Sequence, residues 1–419
     1  MGTTVAVALS GGVDSSVSAA ILIRRQYKVF GLFMRHAWQP VVPPSAMPND
    51  FAATVVRSDA DGKFSSRPWS PELFPVPQDA LAAKRVADVL NIPFFLFDAA
   101  DHFRHIVDYF TTSFVRGITP NPCALCNREL KFGRLVDAAR FLNADLFATG
   151  HYVQLVRQKE WRSRQNTEVS CELPAADRAS VPTLPDWLAD QPDDLPLIQR
   201  GHPEKDQSYI LFNVERSQLE RLCFPLGNQS KTETRELARL WQLPVAERKD
   251  SQEVCFAENG RHIDFLEQQT DLPDTTGWFV DAQCKKLGRH KGYHRYTIGQ
   301  RKGLGIGFGE RTFVQRIEPA TRNVVLGSYS DLAANVILAE RSNWHLTIPR
   351  EVPVACDVKI RYRNRSTPAL ITVTQDGKIC AQLRTPVFGV AAGQALVAYY
   401  GDRLLGGGWI TGHEISADP

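Results

Sequence analysis

Apolar and polar positions alternate in two different ways along the chain. Val5–Leu9 is a short continuous apolar run, the pattern of a buried strand, and it leads straight into SGGVDSS. From about Ser15 to Arg25 the apolar positions recur at helical spacing. Val29–Met34 (VFGLFM) predicts a second strand, Leu81–Leu90 a helix, Phe94–Phe97 a strand, Asp101–Val115 a helix and Asp145–Ala148 a strand that ends in TGH. Strands that alternate with helices predict an α/β domain with a Rossmann-like parallel sheet covered on both faces.

Two stretches break the pattern. Trp38–Pro77 is rich in Pro, Ser and Asp without a sustained period, and Arg157–Pro196 is similar. Both are expected to be long loops or insertions without a fold of their own. Ser217 to about Thr270 is helical in pattern and includes KTETRELARLWQL. After Thr275 the chain changes to short strands between glycine turns, such as TFVQRIE, NVVLGSY, VPVACDVKIRY, PALITVTQ and ALVAYYGD. This tail predicts a small β-barrel of a kind that often docks RNA. The expected division is 1–215 for the α/β domain with insertions at about 38–77 and 157–196, 216–285 for a small, mostly helical centre, and 286–419 for the barrel.

Composition narrows this only a little. The 419 residues are 43% hydrophobic and 23% charged, ordinary for a globular protein. No apolar run approaches the ~20 residues of a membrane span, and the first residues read as a strand rather than a signal peptide. A cytoplasmic protein without a membrane partner is the expectation. Eight cysteines scattered over so long a chain do not suggest a disulfide framework, and Cys171, Cys223, Cys284, Cys356 and Cys380 stand in no motif. The net charge of +3 does not by itself call for nucleic acid. Basic residues nevertheless gather at Arg289–Gly303 and Lys359–Arg365.

The first candidate site is Ala6–Ser16, AVALSGGVDSS. A strand that delivers a glycine- and serine-rich turn to a helix start aims backbone N–H groups and the positive helix end at one spot, which suits phosphate. Asp14 would repel phosphate directly, so its expected role is to hold Mg²⁺ against it. There is no lysine after the second glycine, which excludes the GxxxxGK[ST] loop. The SGGxDS pattern resembles the pyrophosphate loop (PP-loop) of the ATP pyrophosphatases, which cleave ATP between the α and β phosphates and transfer AMP to an oxygen. Met34 and Gly150 lie at the ends of neighbouring strands, where ligands of open α/β sheets bind.

The second candidate is TPNPCALCNRELKF, Thr119–Phe132, which carries Cys123 and Cys126. A CxxC can be a redox pair or half of a zinc site, and no second CxxC or HxxxH is present to complete the latter. A third thiol, Cys255 in KDSQEVCF, follows a charged turn and is expected to open an apolar helix. Thiols at helix starts or beside Lys131, Lys249 and Arg128 would have a depressed pKa, which favours nucleophilic or sulfur-carrying roles.

Taken together, SGGVDSS, GLFM, TPNPxxxCNxxxKF, ATGHY, KDQSY, KDSxxxCF, YTIGQRKGLGIG, RYR and AAGQALVAYY with GGGWI resemble, in order, the bacterial tRNA-specific 2-thiouridylase family. These are the tRNA uridine 2-sulfurtransferases that act on the wobble uridine (U34), and the resemblance covers most of the chain outside the two insertions. It implies ATP on the loop Ala8, Leu9, Ser10, Gly11, Gly12, Val13, Asp14 and Ser15, with Met34 and Gly150. It implies adenylation of uridine O2, then sulfur transfer from a persulfide on Cys255 assisted by the nucleophile Cys126, ending in a Cys126–Cys255 disulfide. An upstream protein would carry the persulfide sulfur. Asn121, Pro122 and Cys123 fall at the family's target-base positions, and His151, Lys205, Asp206, Gln207, Arg361, Tyr362 and Gln394 at its tRNA-contacting positions.

Cys123 departs from the family, in which Asp often stands at this place. Three thiols resemble instead the related sulfur-transfer enzymes that hold a [4Fe–4S] cluster by three cysteines, with Cys123, Cys126 and Cys255 as ligands. Two further readings remain from the residues. One is a small-molecule ligase on the same ATP pyrophosphatase domain, which leaves the thiols and the basic β tail unexplained. The other is a binding protein with an inactive loop, against which the intact Ser10, Gly11, Gly12, Asp14 and Ser15 argue.

Overall fold

The computed structural model describes residues 2–48, 50–164, 184–249, 254–257, 262–269, 272–305 and 311–414. The first domain is built on β1 (Thr4–Ala8), α1 (Val13–Arg24), β2 (Lys28–Arg35), β3 (Thr54–Ser58), β4 (Phe64–Pro68), α2 (Gln78–Val89), β5 (Phe94–Asp98) and α3 (Ala100–Val115). It continues with α4 (Pro122–Cys126), α5 (Leu135–Phe141) and β6 (Leu146–Ala148), and the short β9 (Leu222–Cys223) joins later in the chain. The sheet order is β4-β3-β5-β2-β1-β6-β9. All neighbours are parallel except the β3–β4 hairpin. Continuous apolar strands such as β1, buried on both faces, are what a sheet covered by helices requires.

The first interruption therefore carries structure. Within Trp38–Pro77, β3 adds parallel to β5 and β4 folds back beside it, extending the sheet edge. One carboxylate fixes this addition. Asp98 at the end of β5 receives Arg35 at 2.9 Å and Arg57 at 2.6 Å, tying the ends of β2, β3 and β5.

The second interruption belongs to the barrel. β7 (Val153–Arg157) and β8 (Pro196–Arg200) form a hairpin, and β8 meets the last strand at Gln199–Arg403. Residues 158–164 are helical. Trp161, Leu188, Leu195 and Leu197 pack into the barrel's core cluster, and the Trp161 indole N–H donates to Asp402 at 3.0 Å. The loose polar composition concealed these few large anchors.

After α6 (Lys231–Leu240) and α7 (His262–Gln269), a four-stranded sheet forms from β10 (Gly277–Val280), β11 (Lys286–His290), β12 (Phe313–Glu318) and β13 (Asn323–Gly327). TFVQRIE and NVVLGSY thus pair here, in a module with its own core around Phe279, Tyr296, Val314 and Leu326. The closed barrel follows: β14 (Ala333–Trp344), β15 (Val354–Lys359), β16 (Thr367–Val373), β17 (Ile379–Phe388), β18 (Ala395–Tyr400) and β19 (Arg403–Glu414). Its order β14-β17-β16-β15-β18-β19 closes through the β14–β19 pairing, which leaves no free edge within the ring. One apolar cluster runs from Phe132, Phe147 and Phe212 into Val397, Tyr399 and Trp409, so the first domain and the barrel share a core.

Trp161→Ala is expected to destabilise the barrel by about 3–5 kcal/mol, the cost of deleting a fully buried aromatic. Denaturant unfolding checks this, and a change below about 1 kcal/mol would mean that the segment is only an appendage.

Candidate active site

Between β1 and α1 the chain turns at the carboxyl edge of the parallel sheet. Gly11 has φ 77°, and a Cβ there would come within 2.5 Å of the Asp79 carbonyl oxygen, so only glycine fits. Gly12 precedes α1 without any side-chain cap, which leaves the helix start for an anion. Ser15 and Ser16 both donate to the Gly12 carbonyl, and the Ser10 and Ser15 hydroxyls lie 3.2 Å apart. Gly150 comes from the end of β6, and a Cβ on it would lie 2.9 Å from backbone atoms of Asp14 and Ser15. The loop and Gly150 are therefore brought together, and close backbone approach is the reason for the second glycine. Met34, at the end of β2, packs between the shared core and the aromatic cluster around the thiols.

Two cations at this loop escaped the sequence reading. Lys231 places its ammonium 2.6 Å from Asp14 Oδ1, and the Tyr152 hydroxyl donates to the same oxygen at 2.7 Å. Arg248 donates to the Gly11 carbonyl at 2.9 Å and pairs with Asp79. Ser230 and Glu233 form a capping box that starts α6, which fixes Lys231 in its first turn. That box was legible as S-K-T-E, but nothing local pointed it at a loop more than 200 residues away. The carboxylate of Asp14, the expected Mg²⁺ ligand, thus lies between Lys231 and Tyr152. The residues present fit a triphosphate: an uncapped helix start, two hydroxyls and two cations.

The thiols meet on the other side of Met34. Asn121 caps α4 by accepting from the Ala124 N–H at 3.2 Å, and Pro122 takes the first helical position. Between α4 and α5, Asn127–Arg134 winds as a π-helix, a widened turn often found at functional sites. Cys126 is buried among Phe103, Ile106, Phe110, Leu130 and Phe256. Cys123 and Cys255 are exposed, although protein atoms crowd one side of each sulfur. Burial pushes the Cys126 thiol up to about 11, with Lys131 opposing and Cys123 reinforcing the rise. Cys255 is pushed up to about 12 by burial first, then by Cys126, with Lys131 again opposing. Burial raises Cys123 as well.

The expected depressed thiols are thus corrected. The aromatic surroundings outweigh the single lysine, Lys131, that reaches them. Arg128 is turned instead to Asn213 and Glu215. Cys255 lies in a turn rather than at a helix start, and Asp250–Glu253 before it fall outside the described residues. Among the described residues no group of three His, Cys, Asp or Glu is arranged to hold a metal ion. The three sulfurs are neighbours.

The expected tRNA-contacting residues divide into two groups. Several are committed to internal ties. Gln394 donates its amide to the Thr119 and Pro120 carbonyls at 3.1 and 3.0 Å. The Asp206 carboxylate accepts from the Gly201 and Ser208 N–H groups and the Ser208 hydroxyl, and Gln207 accepts from the Tyr152 N–H. His151 is buried against Phe132 and Phe224 and bonded to Thr149 at 2.7 Å. Its pKa is lowered well below the ordinary value by burial and then by Lys131, so the ring stays neutral. Tyr362 is exposed, Lys205 is partly exposed, and Arg361 is half-buried on two backbone carbonyls.

These features define a nucleotide-binding α/β domain joined to two β modules, with a cluster of thiols beside the nucleotide loop. Three family profiles match in the same order. They are the tRNA methyl transferase HUP domain over 3–48 and 56–259, the tRNA methyl transferase PRC-barrel domain over 263–328, and the aminomethyltransferase beta-barrel domain over 334–410. Among full-length relatives, the tRNA-specific 2-thiouridylase MnmA of Rhodopirellula baltica is 37% identical, covering 97% of this chain and 96% of its own. Those of Rhodospirillum centenum and Syntrophotalea carbinolica are 38% and 35% identical over 99% and 96% of this chain, and 93% and 97% of their own. The chain belongs to the tRNA-specific 2-thiouridylase (MnmA) family, whose members are sulfurtransferase enzymes.

The raised thiols carry a pH prediction. Only the thiolate is alkylated, and a thiol near 12 is protonated at neutral pH. Peptide-resolved iodoacetamide labelling of Cys255 in the free protein should accelerate about tenfold per pH unit, without a plateau below pH ~10. A plateau near neutrality would show that Lys131 outweighs burial after all.

Proposed function

We propose that the chain carries out ATP-dependent 2-thiolation of the wobble uridine, U34, of tRNA. The reading rests above all on the gathering of Cys255 with Cys123 and Cys126, from which it is remote in sequence, close enough to perturb one another's ionisation. They lie one strand end away from a loop shaped for phosphate. A loop alone would serve any adenylating enzyme, whereas adjacent thiols give sulfur chemistry its second reactant.

Uridine O2 attacks the α-phosphate of ATP and pyrophosphate leaves, making the C2 oxygen a good leaving group. Lys231, Arg248 and the start of α1 stabilise the negative charge that moves to the departing phosphates. Cys255 holds the incoming sulfur as a persulfide delivered by an upstream carrier protein. Its terminal sulfur bonds to C2 while the Cys126 thiolate attacks the inner sulfur and breaks the S–S bond. AMP departs with the oxygen. The products are 2-thiouridine, AMP and a Cys126–Cys255 disulfide, and an external thiol reductant supplies the two electrons that reopen it. Each thiol gives up a proton in this sequence, so Lys131 is the group that favours the anions in an otherwise apolar recess. Asn121, Pro122 and Cys123 frame the position of the target base.

The test is an anaerobic reaction of tRNA, ATP and a persulfide donor, with 2-thiouridine at position 34 quantified by mass spectrometry. Cys126→Ser and Cys255→Ser should each lower the yield by about 10³-fold or more, because each forms or breaks a sulfur bond. Cys123→Ser should retain most activity in an iron-free preparation. Full activity of Cys255→Ser would overturn the relay. ATP turnover with a small amino donor and no response to tRNA would point to the small-molecule ligase instead.

A further inference from the structure

Gly299 of the basic segment Arg289–Gly303 meets Arg361 and Asn364 of Lys359–Arg365 at a place away from the three thiols. A cavity of 370 Å³ opens at the seam between the four-stranded sheet and the closed barrel. Phe313, Tyr329 and Phe388 supply its aromatic wall, and Arg361, Asn364 and Gly389 its polar side. The Tyr329 ring stacks on Phe388 at 4.3 Å and 16°, with Phe313 at 5.5 Å. Yet Tyr329 is 53% exposed. A tyrosine stacked on one face and open on the other is a platform without a cover.

The polar side is built as well. Arg361 donates one guanidinium nitrogen to the carbonyls of Ile298 and Gly389, which fixes its plane at the rim. The remaining guanidinium N–H groups and the Asn364 amide are hydrogen-bonding groups suited to base edges and phosphate. Arg363 and Arg365 are exposed and make no ion pair among the described residues, and Arg301 and Lys302 follow Gly299 on the lining loop. Among the described residues no acidic side chain lines the cavity. From Gly389 the chain runs directly to Gln394, whose amide holds the turn before Cys123 and Cys126.

We infer that this cavity is a second RNA subsite, which takes one unstacked nucleobase of the bound tRNA, other than the target uridine, onto Tyr329. The inference rests on the tRNA reading above. Aromatic platforms with arginine and amide side chains are how proteins take splayed-out bases of RNA, and surrounding cations hold the flanking phosphates. Anchoring a neighbouring base would hold the substrate while the target base is turned toward the thiols.

The test measures binding of tRNA by the full chain across a salt series, beside competition by free AMP. Tyr329→Ala should weaken binding by about five- to a hundredfold with an unchanged salt slope, and Tyr329→Phe should bind as the parent does. Phe388→Ala should repeat the loss, and Arg363→Ala should lower the salt slope by about one. AMP should not displace the tRNA; displacement that disappears in Tyr329→Ala would mean that the cavity takes a free nucleotide and would overturn the RNA assignment. Unchanged affinity of Tyr329→Ala, with unchanged thermal melting, overturns the subsite while leaving the thiolation reading intact. Failure of the parent protein to bind tRNA at all would remove both.

Discussion

Gln394 commits both hydrogens of its amide to the carbonyls of Thr119 and Pro120, and the rest of the site hangs on that tie. The turn it holds leads directly into Asn121, the cap of α4, and α4 carries Cys123 and Cys126. The Thr119 N–H adds a bond to the Ala392 carbonyl, and the Asn121 N–H reaches the Tyr109 hydroxyl. The segment that carries Cys123 and Cys126 is thus clamped between the barrel and α3. The barrel therefore helps to position the segment that bears Cys123 and Cys126. Its loop fixes the height of the thiols above the sheet, as reactive constellations need when they sit on short, otherwise weak elements.

The second constraint is electrical. Phe103, Phe110 and Phe256 make the surroundings of Cys126 apolar, and the protein atoms crowding the three sulfurs raise the pKa of each thiol, the exposed Cys123 and Cys255 included. Such surroundings protect Cys126 from adventitious oxidation, because oxidants react with the thiolate. They also make one nearby cation count for more than it would at the surface, since Coulomb interactions strengthen as the local dielectric falls. Lys131, on the widened π turn, is that cation. At the nucleotide loop the arrangement is reversed: Lys231 and Arg248 are positioned by neighbouring acidic and carbonyl oxygens. Charge stands ready for phosphate there and is scarce around sulfur.

The strands and helices of the first domain were legible because their apolar runs are long and unbroken. The SGGVDSS turn was legible because glycine, hydroxyl and helix start fall within a few residues of one another. The interruptions were not. β3 and β4 are short and polar on one face, and their addition to the sheet depends on Asp98 reaching both Arg35 and Arg57. The segment around Trp161 has the composition of a loop and is structured by one indole and a few leucines inserted into a core made elsewhere. The depressed thiols were misjudged because nearby lysines in sequence were counted while the aromatic rings, distant in sequence, were invisible.

Sequence alone determined the parallel α/β domain, the glycine turn before its first helix and the β-rich tail, and it singled out the three thiols. Each of these is a local property, written in periodicity or in residues a few positions apart. Tertiary structure decided which cations meet the loop, which way the thiols are driven, and that the barrel grips the turn before Cys123. It also set Tyr329 on Phe388 at a seam between two modules. Those outcomes depend on groups separated by hundreds of residues, and on burial, which no stretch of sequence carries by itself.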